Sequence, residues 1–175
     1  MKFDASTGRL EVLTGVDGVA ARMGHRLTIL VQSWSAELTW DGDEPATLTL
    51  TADVNSFSVE GGEGGVTPLS PPERVVARTN ALKTMSSKRF PHITFESSTI
   101  ESIDNGYRLT GQLEIRGQRR EHVADVTVAG ATVTARSGVR QSDFGIKPYS
   151  MMMGSLRVAD EVTVTLNASA TDSHR

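Results

Sequence analysis

The stretch SKRFPHITFESS, Ser87 to Ser98, decides how this chain is read. Lys88 and Arg89 crowd its front, and Phe90-Pro91 lead into an alternating run. Ile93, Phe95 and Ser97 take one phase; His92, Thr94 and Glu96 take the other. A period of two is the mark of a strand with one apolar and one wet face. Pro91 stands at the start, where a missing N–H removes no interior ladder bond. Asn105-Gly106 then supplies a hairpin turn. After it Tyr107, Leu109, Gly111, Leu113 and Ile115 alternate with Arg108, Thr110, Gln112, Glu114 and Arg116. The apolar face of this hairpin looks either at a solid core or at a space that holds something.

The same rhythm recurs along the chain. Leu48, Leu50, Ala52 and Val54 oppose Thr47, Thr49, Thr51 and Asp53; Val162, Val164, Leu166 and Ala168 oppose Thr163, Thr165 and Asn167. Ala124, Val126 and Val128 share a phase that Val133 and Ala135 continue after Gly130. From Leu27 to Trp40 the phase changes, from Leu27, Ile29 and Val31 to Ala36, Leu38 and Trp40, which predicts a β-bulge near Ser33. Asp41-Gly42 and Gly117 mark further turns. One segment differs. Ser70-Pro71-Pro72-Glu73 is a capping box with Pro at the first helical position, and Val75, Leu82 and Met85 follow as a core-facing stripe. The expected helix covers 71–86, preceded by a flexible loop over 60–70 that holds Gly61-Gly62-Glu63-Gly64-Gly65. A short helix or turn is expected over Val16 to Met23, and a frayed tail over 171–175. About eight strands with regular turns and one helix make a barrel or a sandwich. An eight-stranded up-and-down barrel closes its edges and encloses room for side chains or one ligand.

Composition narrows the function classes. The 175 residues suit one domain, residues 1–175, with a real core. A net charge of -3 offers no broad basic face to a nucleic acid. Without cysteine there is no disulfide, thiolate metal site or Cys nucleophile. No run approaches the roughly 18 apolar residues of a membrane span, and the N-terminus lacks the apolar core of a secretory signal, so the expected address is the cytoplasm. His25, His92, His122 and His174 have no metalloenzyme spacing; His122 opens an inward-phased run and is the one to watch. No phosphate loop or nucleophile elbow is present. No metal, no cofactor and no catalytic residue is expected.

Gln141 to Ser150, followed by Met151-Met152-Met153-Gly154, is costly to leave in water because it carries Phe144, Ile146, Tyr149 and three Met. It reads either as a loop folded over a barrel end or as a deformable apolar surface for a variable partner.

The ordered set RFPHITFESS, YRLTGQLEIRGQ and DFGIKPYS…GSLRVADEVTV resembles the YceI-like family, and the similarity reaches back through Gly24-His25, Trp34 and Asn55-Ser56-Phe57 to cover nearly the whole chain. The resemblance implies an all-β fold with one short helix, an eight-stranded antiparallel lipocalin-like β-barrel around an elongated apolar pocket. It implies binding of polyisoprenoids or similar long-chain amphiphiles, often by a dimer. Many members are periplasmic and bear a signal. Where relatives commonly carry Arg-Asp before His-Leu-Arg, this chain has Arg78-Thr79-Asn80-Ala81-Leu82, so no headgroup contact of that motif carries over.

The leading expectation is non-catalytic binding of an isoprenoid or acyl lipid for carriage, storage or sequestration. Each buried CH₂ contributes about 0.8 kcal/mol, so a chain can be held with few polar contacts. The candidate chain contacts are Trp34, Trp40, Phe57, Ile93, Phe95, Leu109, Leu113, Phe144, Tyr149, Met151 and Met152; His25, Arg26, Arg89 and Lys147 are candidate headgroup contacts. Small inward residues (Ala36, Ala52, Ser97, Gly111, Ala124 and Ala168) leave room for a hole. The competing readings are a filled barrel whose Met-rich loop and helix bind a protein or a second copy of the chain, and a small-molecule enzyme using His122, His92 or Asp143.

Overall fold

The computed structural model describes residues 1–170; the tail expected to fray lies outside the described residues. The strands are β1 Lys2–Asp4, β2 Gly8–Leu13, β3 Val16–Asp17, β4 His25–Val31, β5 Trp34–Asp41, β6 Glu44–Asp53, β7 Phe57–Gly64, β8 His92–Ile103, β9 Gly106–Ile115, β10 Gln118–Ala129, β11 Thr132–Arg140, β12 Ser150–Met151, β13 Leu156–Val158 and β14 Glu161–Ser169. The one α-helix among the described residues, α1, is Pro71–Thr84. The fold is all-β with a single helix, as expected. The expected count of eight strands is corrected: eleven described strands form one curled antiparallel half-barrel in the order β1-β5-β6-β8-β9-β10-β11-β14-β2-β4-β7, and β12-β13-β3 form a small second sheet.

The larger count has local causes. Between Val31 and Trp34 the chain turns a corner rather than bulging. The Ser33 N–H donates to Ser56 Oγ at 2.9 Å, and the Asp53 N–H donates to Ser33 O at 2.9 Å. β4 therefore pairs with β2 and β7, while β5 pairs with β1 and β6. That corner is the phase change from Ile29 and Val31 to Trp34 and Ala36. Register shifts do occur, at Thr28/Ile29, Thr39/Trp40 and Ser97/Thr99. The third re-phases β8, so that Phe95 faces Leu113 and Ile100 faces Leu109.

The glycine run is corrected too. Gly61, Gly62 and Gly64 belong to β7 and pair with Thr28, Leu27 and His25. A Cβ on Gly62 would crowd Leu69 and Leu27 at 3.2 and 3.3 Å, so the glycine lets β7 pass under them. The Asp41-Gly42, Asn105-Gly106 and Gly117 turns form as expected, between strands paired at Asp41↔Glu44, Ile103↔Gly106 and Ile115↔Gln118. Over Val16 to Met23 the chain forms β3 and a short 3-10 turn, Ala21–Met23.

The predicted box caps α1: Ser70 Oγ accepts from the Glu73 N–H, and the Glu73 carboxylate accepts from the Ser70 N–H at 2.6 Å. Arg78 ties the helix to the sheet, donating to Phe57 O at 2.7 Å and Asn55 O at 2.6 Å. Of the expected stripe, Leu82 and Met85 pack on the core while Val75 is 66% exposed. No residue of α1 is fully buried. The core has two parts. Leu10, Ile29, Val31, Trp34, Val54 and Phe57 mark one, and Phe95, Leu109, Leu113, Ile115, Phe144 and Ile146 mark the other.

Candidate functional site

A cavity of about 630 Å³ lies between the curled sheet and α1. Alternation along the strands builds it, because every second residue points into it. Leu10 and Val12 of β2, Leu27 and Ile29 of β4, Leu48 and Leu50 of β6, and Val162, Val164 and Leu166 of β14 line one part. Ile93, Phe95, Leu109, Leu113, Ile115, Ala124 and Val126 line the other, and Pro72, Ala77, Ala81 and Met85 contribute the face of α1. The volume falls within the range of pockets that enclose a small ligand.

Few polar side chains reach this wall, and most serve the fold. Thr14 Oγ1 accepts from the Leu27 N–H at 2.9 Å. His25 Nε2–H donates to Thr67 O at 2.7 Å. Gln141 Nε2–H donates to Ala159 O at 3.0 Å. Thr84 Oγ1 donates to Asn80 O at 2.8 Å, and Arg157 pairs with Asp17 at 3.2 Å. The Glu73 carboxyl is held below its ordinary value by the Ser70 backbone N–H. His122 and Ser137 differ, because they meet only each other: Nε2 and Oγ are 2.8 Å apart. Burial holds the His122 imidazole below its ordinary value, favouring the neutral ring.

Of the residues singled out in the sequence, Phe57, Ile93, Phe95, Leu109, Leu113, Phe144, Tyr149, Met151 and His25 line the cavity. Six do not. Trp34 is buried, but in the core beside the cavity. Trp40 lies past the register shift at Thr39 and is 44% exposed. Met152 is on the outer rim. Arg26 pairs with Glu63 on the outer face at 3.7 Å. Arg89 stacks over the Phe90 ring at 5.1 Å, and Lys147 is exposed outside the lining. The small residues also divide. Ala52 and Ala124 do face the cavity. Gly111 instead admits a neighbouring strand, since a Cβ there would fall 2.2 Å from Glu96 O. Ser97 accepts the Leu48 N–H at 2.8 Å.

The α1 face, and the walls from β2, β4 and β14, were not singled out as site residues. Their inward phases were readable, but nothing local tells a residue against a space from one against a neighbour. The Gln141–Met153 segment is split between core and solvent. Phe144 and Ile146 are anchored in the core, whereas Tyr149 and Met151 reach the rim and Met153 projects fully into solvent. Among the described residues no cluster of His, Asp and Glu could hold a metal ion.

A curled sheet, a helical flap and an apolar interior narrow the comparison with known proteins. The sequence model of the YceI-like domain matches residues 4–170. The chain belongs to the YceI-like family. Among solved structures, BcnA of Burkholderia cenocepacia is 25% identical, the match covering 97% of this chain and 99% of that one with a TM-score of 0.72. A YceI protein of Campylobacter jejuni is 20% identical over 83% of this chain and 85% of that one, with a TM-score of 0.64, a likeness of fold. No curated protein matched in the sequence comparison. In this YceI-like chain no helix of the described residues is long and apolar enough to cross a membrane.

Proposed function

We propose that this YceI-like protein binds a long-chain apolar amphiphile, of polyisoprenoid or fatty-acyl type, and carries, stores or sequesters it without chemistry. The cavity of about 630 Å³ is the observation that supports this, with its wall of Val, Leu, Ile and Phe side chains and its few polar groups mostly occupied by backbone partners. At about 25 cal/mol per Å² of apolar surface removed from water, such a wall favours any chain that fits it. Phe57 and Phe95 would meet the chain within, and Tyr149 and Met151 stand at the rim.

Native mass spectrometry of the purified protein, followed by solvent extraction, tests the reading. A discrete added mass that extracts as a prenyl or acyl amphiphile is the expected result. A bare polypeptide mass, with no uptake of prenyl or acyl probes, would overturn it.

One observation favours a second reading, self-association through the rim. Val19 and Met153 are almost wholly exposed, and Met23 and Met152 are about half exposed, all within the module formed by the small sheet and its two flanking turns. Met152→Glu separates the two: loss of a dimer with uptake intact supports an interface, and the reverse supports a pocket mouth.

A further inference from the structure

The wall of the half-barrel is split. β10 and β11 share only the pairs Val126↔Ala135 to Ala129↔Thr132. Both strands continue past that point. β10 stays on β9 as far as Gln118, and β11 stays on β14 as far as Arg140. Beyond Val126 and Ala135 the strands part, and their facing edges keep no ladder partner among the described residues. Outside, the split is a groove lined by Arg108, Thr110, Val123, Asp125, Arg136 and Gly138; Ala124 and Ser137 line both the groove and the cavity. One layer of side chains separates the interior from solvent here, and the His122–Ser137 hydrogen bond lies across it.

We propose that this fissure holds the hydroxyl end of a long-chain alcohol, its oxygen pairing with His122 and Ser137 while its chain fills the cavity. The inference rests on the chain-binding reading and adds the polar end of the ligand. The chemistry follows from counting protons. A neutral imidazole and a hydroxyl carry one N–H and one O–H. Their mutual bond uses one of these in either tautomer and leaves the other to donate. The parted strand edges add N–H and C=O groups that lie outside the β10–β11 ladder, so the site can both give and accept, as a hydroxyl does. On its cavity side the fissure presents His122, Ala124 and Ser137, and no cation for a carboxylate or phosphate. Outside, Arg108 is held by Asp125 in two bonds of 2.8 and 2.9 Å, and Arg136 lines only the outer groove, in the strand phase opposite to Ser137. An ionised head without a cation would lose its hydration uncompensated. A plain hydrocarbon end would leave the His122–Ser137 pair facing an apolar group.

The test is displacement of bound N-phenylnaphthylamine by dodecanol, by tridecane, in which a methyl replaces the hydroxyl, and by dodecanoate. It is run on the wild type, Ser137→Ala and His122→Leu, with Ser137→Ala as the variant of smaller packing change. One lost hydrogen bond should shift the alcohol-to-alkane affinity ratio against the alcohol by roughly tenfold in each variant, with tridecane unchanged. An unchanged ratio in both variants overturns the proposal and leaves chain binding standing. It is also overturned if dodecanoate, not dodecanol, is the ligand the variants weaken. Failure of all three to displace the probe from the wild type overturns chain binding, and this inference with it.

Discussion

Gly111 and His122 face each other across β9 and β10, and each has a measurable consequence. A Cβ at Gly111 would stand 2.2 Å from Glu96 O, a backbone atom that cannot swing aside. Gly111→Ala should therefore cost about 1–3 kcal/mol in urea unfolding, the range of overpacked sites. For His122 the sign follows from burial. Its folded-state pKa lies below the ordinary value of 6.5, so the unfolded chain binds this proton more readily. The stability it contributes is complete above pH about 6.5 and is lost as pH falls below it. His122→Gln should flatten that acid-side loss, seen by comparing unfolding midpoints of the two proteins between neutral and mildly acidic pH. The phase of both residues was legible from alternation. What occupied the space opposite them was not. The Glu96 backbone that makes Gly111 necessary, and the Ser137 hydroxyl that meets His122, sit on other strands, 15 residues away along the chain in each case.

Elements were legible where one physical signal dominated. The box at Ser70 and Glu73 placed the start of α1 at Pro71, because a capping side chain is a local bond and needs no tertiary context. Ser70→Ala should lower stability by about 1 kcal/mol by chemical denaturation, with less helical signal in circular dichroism. The hairpins were legible for the same reason. β7 was not. Gly61, Gly62 and Gly64 carry the composition of a loop, yet β4 holds them in a ladder, and the absence of side chains is what lets Leu27 and Leu69 close over them. The corner at Ser33 failed differently. A bulge and a break between two strands produce the same change of phase, and bonds from Ser33 to Ser56 and Asp53, far along the chain, decide between them. Trp40 was placed on the cavity face from that phase alone, but β5 contributes no residue to the cavity wall.

At the scale of the molecule, what the sequence could not contain is the hollow. Period two fixes which side chains turn inward but not whether they meet. Here the sheet curls far enough to oppose β2, β4 and β14 to β8, β9 and β10 without bringing their side chains together, and α1 spans the rest. A bulky residue on that wall should fill the hollow. Ala135→Phe, on the inward face of β11, is expected to abolish uptake of a prenyl or acyl probe while keeping the unfolding midpoint at or above that of the wild type, because the new ring enters space rather than a packed neighbour. A variant that still takes up the probe at full affinity would show that binding occurs elsewhere.

The way α1 is held has a kinetic consequence. The helix buries no residue completely, and two guanidinium bonds from Arg78 and the contacts of Leu82 and Met85 are prominent in fastening it to the sheet. Its detachment therefore forfeits little, whereas opening the ladder from β8 to β11 forfeits rows of backbone bonds. The backbone amides of α1 should exchange with deuterium through a partial opening, orders of magnitude faster than those of β9, and should slow when the interior is filled. The residence time of whatever the protein holds would then be set by the lifetime of the docked helix rather than by the half-barrel, and Arg78→Ala should shorten both together.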